Sequence, residues 1–296
     1  MDQAIELLTK AYDEYKSRKS SRMALYLASE IAAIYAQHDK NEMALNFYDK
    51  ICKTYRKEKW TFILKSICES VLSIAKKINN NQIAISCFVE LLSYTEDEER
   101  VLVMQSFDKL FQANNEDKVM DVEIDMDTIS SFMKSNICFK KTTSFLGTPI
   151  SVQIALSPLA LGIPDKFQLD EIQVCFSDPR YNFVIYHSPT KVFRVCGNHT
   201  STECTINSMT CNLQFQSNEC KVIDFSFHPI ERADIKIIKL NLIKRSQSGN
   251  VIVFAHRIGD RVDSTKQCMW LKILSEETPI IRSTIFESLG ERTVLR

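Results

Sequence analysis

Neither glycine nor proline occurs before Gly147, and all six glycines and seven prolines of this 296-residue chain lie from there onward. These two residues are the strongest local breakers of helix. A first half without them can carry long helices, and a second half that holds all of them is built to turn. The apolar pattern agrees. Across residues 4–113 apolar side chains recur at three- and four-residue spacing, the period of a helix with one buried face. Breaks at residues 17–21, 38–41, 57–59, 78–82 and 95–98 predict six helices joined by short turns.

The helices repeat. AIELLTKAY from Ala4, ALNFYDKIC from Ala44 and AISCFVELL from Ala84 are spaced by 40 residues each time. Ile5, Leu45 and Ile85 share one phase, and Leu8, Tyr48 and Phe88 share another. A small residue followed four positions later by a large one lets a neighbouring helix approach and then fills the groove, as in stacked helical hairpins. Tyr35, Ala44 and Tyr48 follow the small-and-aromatic logic of tetratricopeptide repeats, but the period exceeds 34 residues and the usual terminal proline is missing. The expectation is a TPR-like α-solenoid over residues 1–115.

In NNEDKVMDVEIDMDT, residues 114–128, apolar density falls and acids accumulate, so residues 116–135 read as a linker or closing helix. Beyond it the period changes to two. Short β-branched or aromatic runs at 150–156, 172–176, 181–186, 211–215, 223–227, 235–242, 251–255 and 268–274 predict strands, with a further candidate at 279–286. Turns carrying Pro, Gly, Asn or Asp separate them, and no helical crossover intervenes. Residues 136–296 are therefore expected to form an antiparallel immunoglobulin-like β-sandwich, giving an α+β multidomain chain. The last residues, ESLGERTVLR, read as unfinished, as in a shortened member of a longer family.

Lys and Arg together number 37, as do Asp and Glu, so no net field draws the molecule to nucleic acid or an anionic bilayer. No apolar run approaches the roughly 18 to 20 residues of a membrane span. The chain starts directly with a helix-like segment and shows no charged-then-apolar leader, so its ten cysteines read as reduced and its setting as cytoplasmic. On that reading the glycosylation triplet at Asn198, His199 and Thr200 has no role.

Catalytic vocabulary is thin. Cys196, Cys204, Cys211 and Cys220 lie near one another with His199 between them, but no CxxC pair sets two thiolates on one turn, and they read as small apolar strand residues. A thiol nucleophile could draw on His187, His199, His228 or His256, yet no nucleophile signature stands beside a cysteine. The glycines form no phosphate-binding pattern, and VEIDMDT lacks the glycine and spacing of a calcium loop. No catalytic, cofactor or metal residue is assigned, and no cofactor is expected. The surface candidate is a partner-binding turn at Tyr55, Arg56, Lys57, Lys59 and Trp60, where aromatic and basic groups share a helix-helix connection suited to an acidic partner; the same residues read, more simply, as a solvated inter-helix turn with one inward Trp. Charge reversal at Arg56 and Lys59 is expected to spare folding and weaken only partner binding.

The segment from Ala44 to Ser93, with its Tyr55–Trp60 turn and its Glu90, Leu91 and Leu92 close, resembles the "foie gras" helical region of the eleventh-subunit family of the TRAPP vesicle-tethering complex. PLALGIPDKFQLDEIQVCFSDPRYNFVI, with Leu169, Ile172, Val174 and Phe176 in an L-x-x-I-x-V-x-F strand, is similar to the start of that family's β-rich gryzun region. The resemblance implies a non-enzymatic scaffold in ER-to-Golgi vesicle transport and autophagy. It would partner other TRAPP-like subunits and, through them, a Rab GTPase, and would sit peripherally on Golgi or intermediate membranes. Two alternatives stand beside it: a TPR-like peptide-binding adaptor in membrane traffic, and a thiol hydrolase pairing a β-half cysteine with a histidine.

Overall fold

The computed structural model describes residues 2–113, 120–129, 132–141, 143–158, 167–189, 194–195, 207–215, 220–231, 234–258 and 270–274. The chain divides into two compact units, residues 1–110 and 111–296.

The first unit is built on helices α1 (Asp2–Ser17), α2 (Ser21–Gln37), α3 (Asn41–Glu58), α4 (Thr61–Lys77), α5 (Asn81–Tyr94) and α6 (Asp97–Gln112). Each of α1 to α4 packs against the next helix in sequence. The first four connections share one backbone solution. Lys19, Asp39, Lys59 and Asn79, at 20-residue intervals, adopt left-handed φ of 58°, 58°, 59° and 53°. At each, the left-handed residue donates its N–H to the carbonyl three back, and the following residue donates to the carbonyl five back. Lys59 donates to Arg56 and Trp60 to Tyr55, for instance, at 3.2 and 3.0 Å. This is the Schellman closure, which satisfies helix-end carbonyls that would otherwise be orphaned.

The residue after each left-handed one also opens the next helix. The carbonyls of Ser20, Lys40, Trp60 and Asn80 accept from the N–H groups of Ala24, Ala44, Leu64 and Ala84. Glycine is the usual occupant of such a left-handed site, and a β-carbon there costs about 1–2 kcal/mol. A half-chain without glycine carries that cost in full at Lys19 and Lys59, while Asp39 and Asn79 tolerate the conformation better. Asn80 adds a side-chain cap, accepting from the Ile83 N–H at 3.1 Å. Ala44 and Ala84, with Tyr48 and Phe88 one turn on, are almost fully buried. The small-then-large pattern therefore packs as the spacing predicts in these two repeats. In α1, by contrast, Ala4 is exposed and Leu8 half-buried.

The second unit contains strands β1 (Asp121–Asp125), β2 (Met133–Phe139), β3 (Thr143–Phe145), β4 (Ile150–Pro158), β5 (Phe167–Gln168), β6 (Glu171–Phe176), β7 (Phe183–His187), β8 (Arg194–Val195), β9 (Asn207–Cys211), β10 (Gln214–Phe215), β11 (Lys221–Phe227), β12 (Asp234–Arg245), β13 (Val251–Arg257) and β14 (Trp270–Leu274). The larger sheet runs β1-β13-β12-β6-β7-β9-β8, with β14 joined to β12 and β3 to β14. A three-stranded sheet runs β11-β4-β2, and β10 pairs with β5.

Alternation sets both inner faces. In the small sheet, Phe139, Val152 and Phe225 lie in one register row, and Ile137, Ile154 and Ile223 in the next. In the large sheet, Ile124, Phe254, Leu242, Ile172, Ile185 and Met209 form a row across six strands. Every one of these side chains is buried. Rings lock the two faces together: Phe183 stacks on Phe225 at 4.1 Å between centroids, and Phe176 meets Phe227 at 5.3 Å. The result is a helical unit followed by an immunoglobulin-like sandwich, the α+β class expected.

Three details differ from the expectation. The stretch read as a linker or closing helix carries β1 and the start of β2. Met120, Val122, Ile124 and Met126 are buried at a period of two, and the acids between them face outward, which hid the strand behind a high charge density. The run at 181–186 enters its strand only at Phe183. Tyr181 sits in a 3₁₀ turn (Pro179–Tyr181), and its hydroxyl accepts from the Ile230 N–H at 3.0 Å. The run at 211–215 is the last residue of β9, a two-residue break and the whole of β10. Most pairs are antiparallel, but β1–β13, β7–β9 and β3–β14 are parallel. The first two residues of the 268–274 run, and all of 279–286, lie outside the described residues.

Candidate functional site

The predicted partner-binding turn closes α3 and opens α4, and its five residues have separate fates. Tyr55 is buried. It is the helix residue whose carbonyl receives the Trp60 N–H, and the two rings meet at 6.1 Å, the apolar contact that accompanies a Schellman closure. Trp60 is 37% exposed, and the Arg22 guanidinium of α2 lies over its ring at 5.1 Å. Lys57 and Lys59 are exposed.

Arg56 turns inward. Its Nε and Nη2 donate to Oε1 and Oε2 of Glu90, both at 2.7 Å, and Glu90 is only 1% exposed. Burial alone would pull the guanidinium down, but the hydrogen bonds and charge of Glu90 reverse this and hold it above its usual value. Reversing Arg56 to Glu would place two carboxylates together in this site, so the expectation that such a change spares folding does not hold. The sequence did contain a signal. Glu90 stands alone in the apolar run CFVELL, and a charge on the buried face of a helix requires a partner. The turn at Tyr55–Trp60 thus keeps Lys57, Lys59 and the edge of Trp60 on its outer side.

Alongside Arg56, α3, α4 and α5 line an open cavity of about 350 Å³ that includes Asp49, Cys52, Cys68, Cys87 and Glu90. The Cys68 thiol donates to Glu90 Oε2 at 3.4 Å. The Cys68 thiol lowers that of Cys52, and Arg56 adds to the effect against burial. Cys68 is held far up by Cys52, by burial and by Glu90. Burial, with the Glu90 charge, pushes the Cys87 thiol up to about 12. The cysteine grouping that sequence reasoning sought in the β half is present in the helical half. It was missed because three thiols spread over three helices form no local motif.

In the β half, Cys196, Cys204 and His199 lie outside the described residues. Cys211 ends β9 in register with His187 on β7. The His187 Nδ1 accepts the Leu213 N–H at 3.0 Å, so this nitrogen serves the backbone, and burial raises the Cys211 thiol to about 11. His228 and Cys220 are exposed, and His256 is buried on β13. Among the described residues no group of three or more His, Cys, Asp or Glu side chains could hold a metal, and no helix is long and apolar enough to cross a membrane.

Comparison with known proteins adds two family matches. Foie gras liver health family 1 matches residues 1–94, and the TRAPPC11 first Ig-like domain matches residues 123–294. The trafficking protein particle complex II-specific subunit 130 homolog of Arabidopsis thaliana is 32% identical over 87 residues, which covers 29% of this chain and 7% of that protein. Among solved structures, the CARDB domain of PF1109 from Pyrococcus furiosus shares 11% identity over 43% of this chain and 93% of its own, with a TM-score of 0.22. Spo0M of Bacillus subtilis shares 14% over 54% and 56%, with a TM-score of 0.24. Likenesses that weak carry no argument.

Fold and surface define a two-unit protein in which a helical repeat precedes an Ig-like module. With the Ig-like match covering more than half of its length, the chain belongs to the TRAPPC11 first Ig-like domain family.

Proposed function

We propose that this chain acts as a non-catalytic scaffold subunit of a TRAPP-like tethering complex in ER-to-Golgi vesicle transport. The observation that carries the reading is the order of the two family matches, foie gras before Ig-like, along a chain whose compact units divide at residue 110. The name of the Arabidopsis relative, a subunit of a trafficking particle complex, supports it. The chain covers a small part of that relative, so its partners belong to the proposal: other complex subunits bound directly, and a Rab GTPase reached through them.

A helical repeat and a sandwich both offer extended surface rather than a reaction centre. The outer side of the Tyr55–Trp60 turn supplies one docking element, with Lys57 and Lys59 for an acidic partner and the Trp60 edge for packing. Roles in autophagy and peripheral residence at Golgi membranes follow from the same assignment. The test is affinity purification of the tagged chain, mass spectrometry of its partners, and a Rab nucleotide-exchange assay on the eluate. Stoichiometric tethering subunits with exchange activity are expected. A chain that elutes alone, or with an unrelated peptide-bearing adaptor partner, would overturn the reading.

A further inference from the structure

We infer that the N-terminal turns of α2, α4 and α6 form one docking ridge for a partner's amphipathic helix, acidic at one end and basic at the other. The inference rests on the scaffold reading above and supplies the chemistry of one of its contacts.

The even helices share one phase. Ala24, Leu64 and Met104, at 40-residue intervals, are buried, and so are Leu27, Ile67 and Phe107. Positions 22, 62 and 102 therefore face outward together, two residues before the first buried set, with position 26 one turn beyond 22 on the same face. There the chain places Phe62, 86% exposed, Leu102, 64% exposed, and Tyr26, 54% exposed. Large apolar side chains at a repeated outward position gain little burial from their own fold, and such groupings mark interaction surfaces. Two contacts set the helix starts side by side. Arg22 of α2 lies over the Trp60 ring just before α4, and Lys65 of α4 forms an ion pair with Glu99 of α6.

Spacing and charge name the occupant. Packed helices lie about 8–10 Å apart, so three of them carry the ridge over roughly 20 Å. Two turns of a helix rise about 11 Å, close to the same interval, and about 14 residues span the ridge. Apolar side chains at i, i+3 or i+4 and i+7 of a helix laid across it fall into the gaps between Tyr26, Phe62 and Leu102. Charge changes along the ridge. Arg22, Lys57 and Lys59 are exposed near its α2–α4 end, with Glu58 the acid among them, whereas Glu96 and Glu98 are exposed at the start of α6. A partner helix acidic over the first end and basic over the second complements both. An anionic bilayer would match the basic end and be repelled at Glu96 and Glu98, which favours a protein partner.

The test is photo-cross-linking of the tagged chain in its own cells, with p-benzoylphenylalanine in place of Phe62 or of Leu102, and in place of the exposed Leu7 of α1 as a control. The captured peptide is then sequenced by mass spectrometry. Both ridge positions should capture one segment of a co-purifying subunit, apolar at i, i+3 or i+4 and i+7, with acids nearer the adduct from position 62 and bases nearer that from 102. Position 7 should not capture it. Phe62→Asp combined with Leu102→Asp should lower recovery of that subunit about tenfold at an unchanged melting temperature, since neither side chain is buried. Subunits recovered with no adduct at either ridge position would overturn this inference and leave the scaffold reading standing, whereas a chain recovered alone would remove both. An adduct to a second copy of this chain, to phospholipid, or to a segment without that apolar spacing and charge order would also overturn it.

Discussion

The helical unit closes four successive turns with one local device, while the sandwich unit combines local hairpins, β6–β7 and β12–β13, with pairings between strands far apart in the chain. In the first, each left-handed residue at 19, 39, 59 and 79 is satisfied within six residues of chain. In the second, β4 pairs with β2 on one side and β11 on the other, and β1 pairs with β13 from far along the chain. Local closure lets a repeat unit be specified hairpin by hairpin, with coupling mainly between neighbours. Long-range pairing needs several strands in register before any face is buried. Changes in the helical unit should therefore act near where they are made, whereas changes in the sandwich should be felt across both sheets.

The largest test of that contrast is Phe225→Ala. It removes the ring stacked on Phe183 and should cost about 3–5 kcal/mol, with loss of hydrogen-exchange protection across β4, β6 and β7 together. Loss confined to β11 would mean that the sheets are not cooperative. Arg56→Ala should cost a comparable 3–5 kcal/mol by stranding the Glu90 carboxylate, but its loss of protection should centre on α3 to α5. Pairing Arg56→Leu with Glu90→Leu should recover most of that cost. If the double variant is as unstable as the single one, buried charge is not the cause.

Ala44→Trp should overpack the helix stack by about 1–3 kcal/mol or more, and an unchanged melting temperature would tell against the repeat register. The smallest effect is stabilising. Lys59→Gly relieves the β-carbon of a left-handed residue and should add about 0.5–1 kcal/mol after the flexibility of glycine in the unfolded chain is counted. Asn79→Gly should add less, since asparagine tolerates this conformation.

The same contrast explains what could be read from the sequence. The helix breaks fell where the left-handed residues lie, because Ala24, Ala44, Leu64 and Ala84 restart the apolar phase just after each one. Strands β4, β6 and β13 stood out through alternation. Strand β1 did not, because its exposed positions are Asp121 and Glu123 and its pairing partner is remote. At the surface, the turn was visible as a cluster of basic and aromatic residues. Its internal division was not, since Arg56 faces inward only because Glu90, 34 residues later, is carried to it by the stacking of α5 on α4. The grouping of Cys52, Cys68 and Cys87 was hidden for the same reason.

The central claim is that this chain works by presenting surface, with the outer side of the Tyr55–Trp60 turn among its contacts. Its most direct test compares tagged wild-type chain with Lys57→Glu/Lys59→Glu, purified in parallel from cells and scored for co-purifying subunits and melting temperature. The wild type should bring down tethering subunits in fixed stoichiometry, and the variant should melt unchanged but recover several-fold less. Equal recovery would remove the turn from the interface, and a wild-type chain recovered alone would contradict the scaffold role itself.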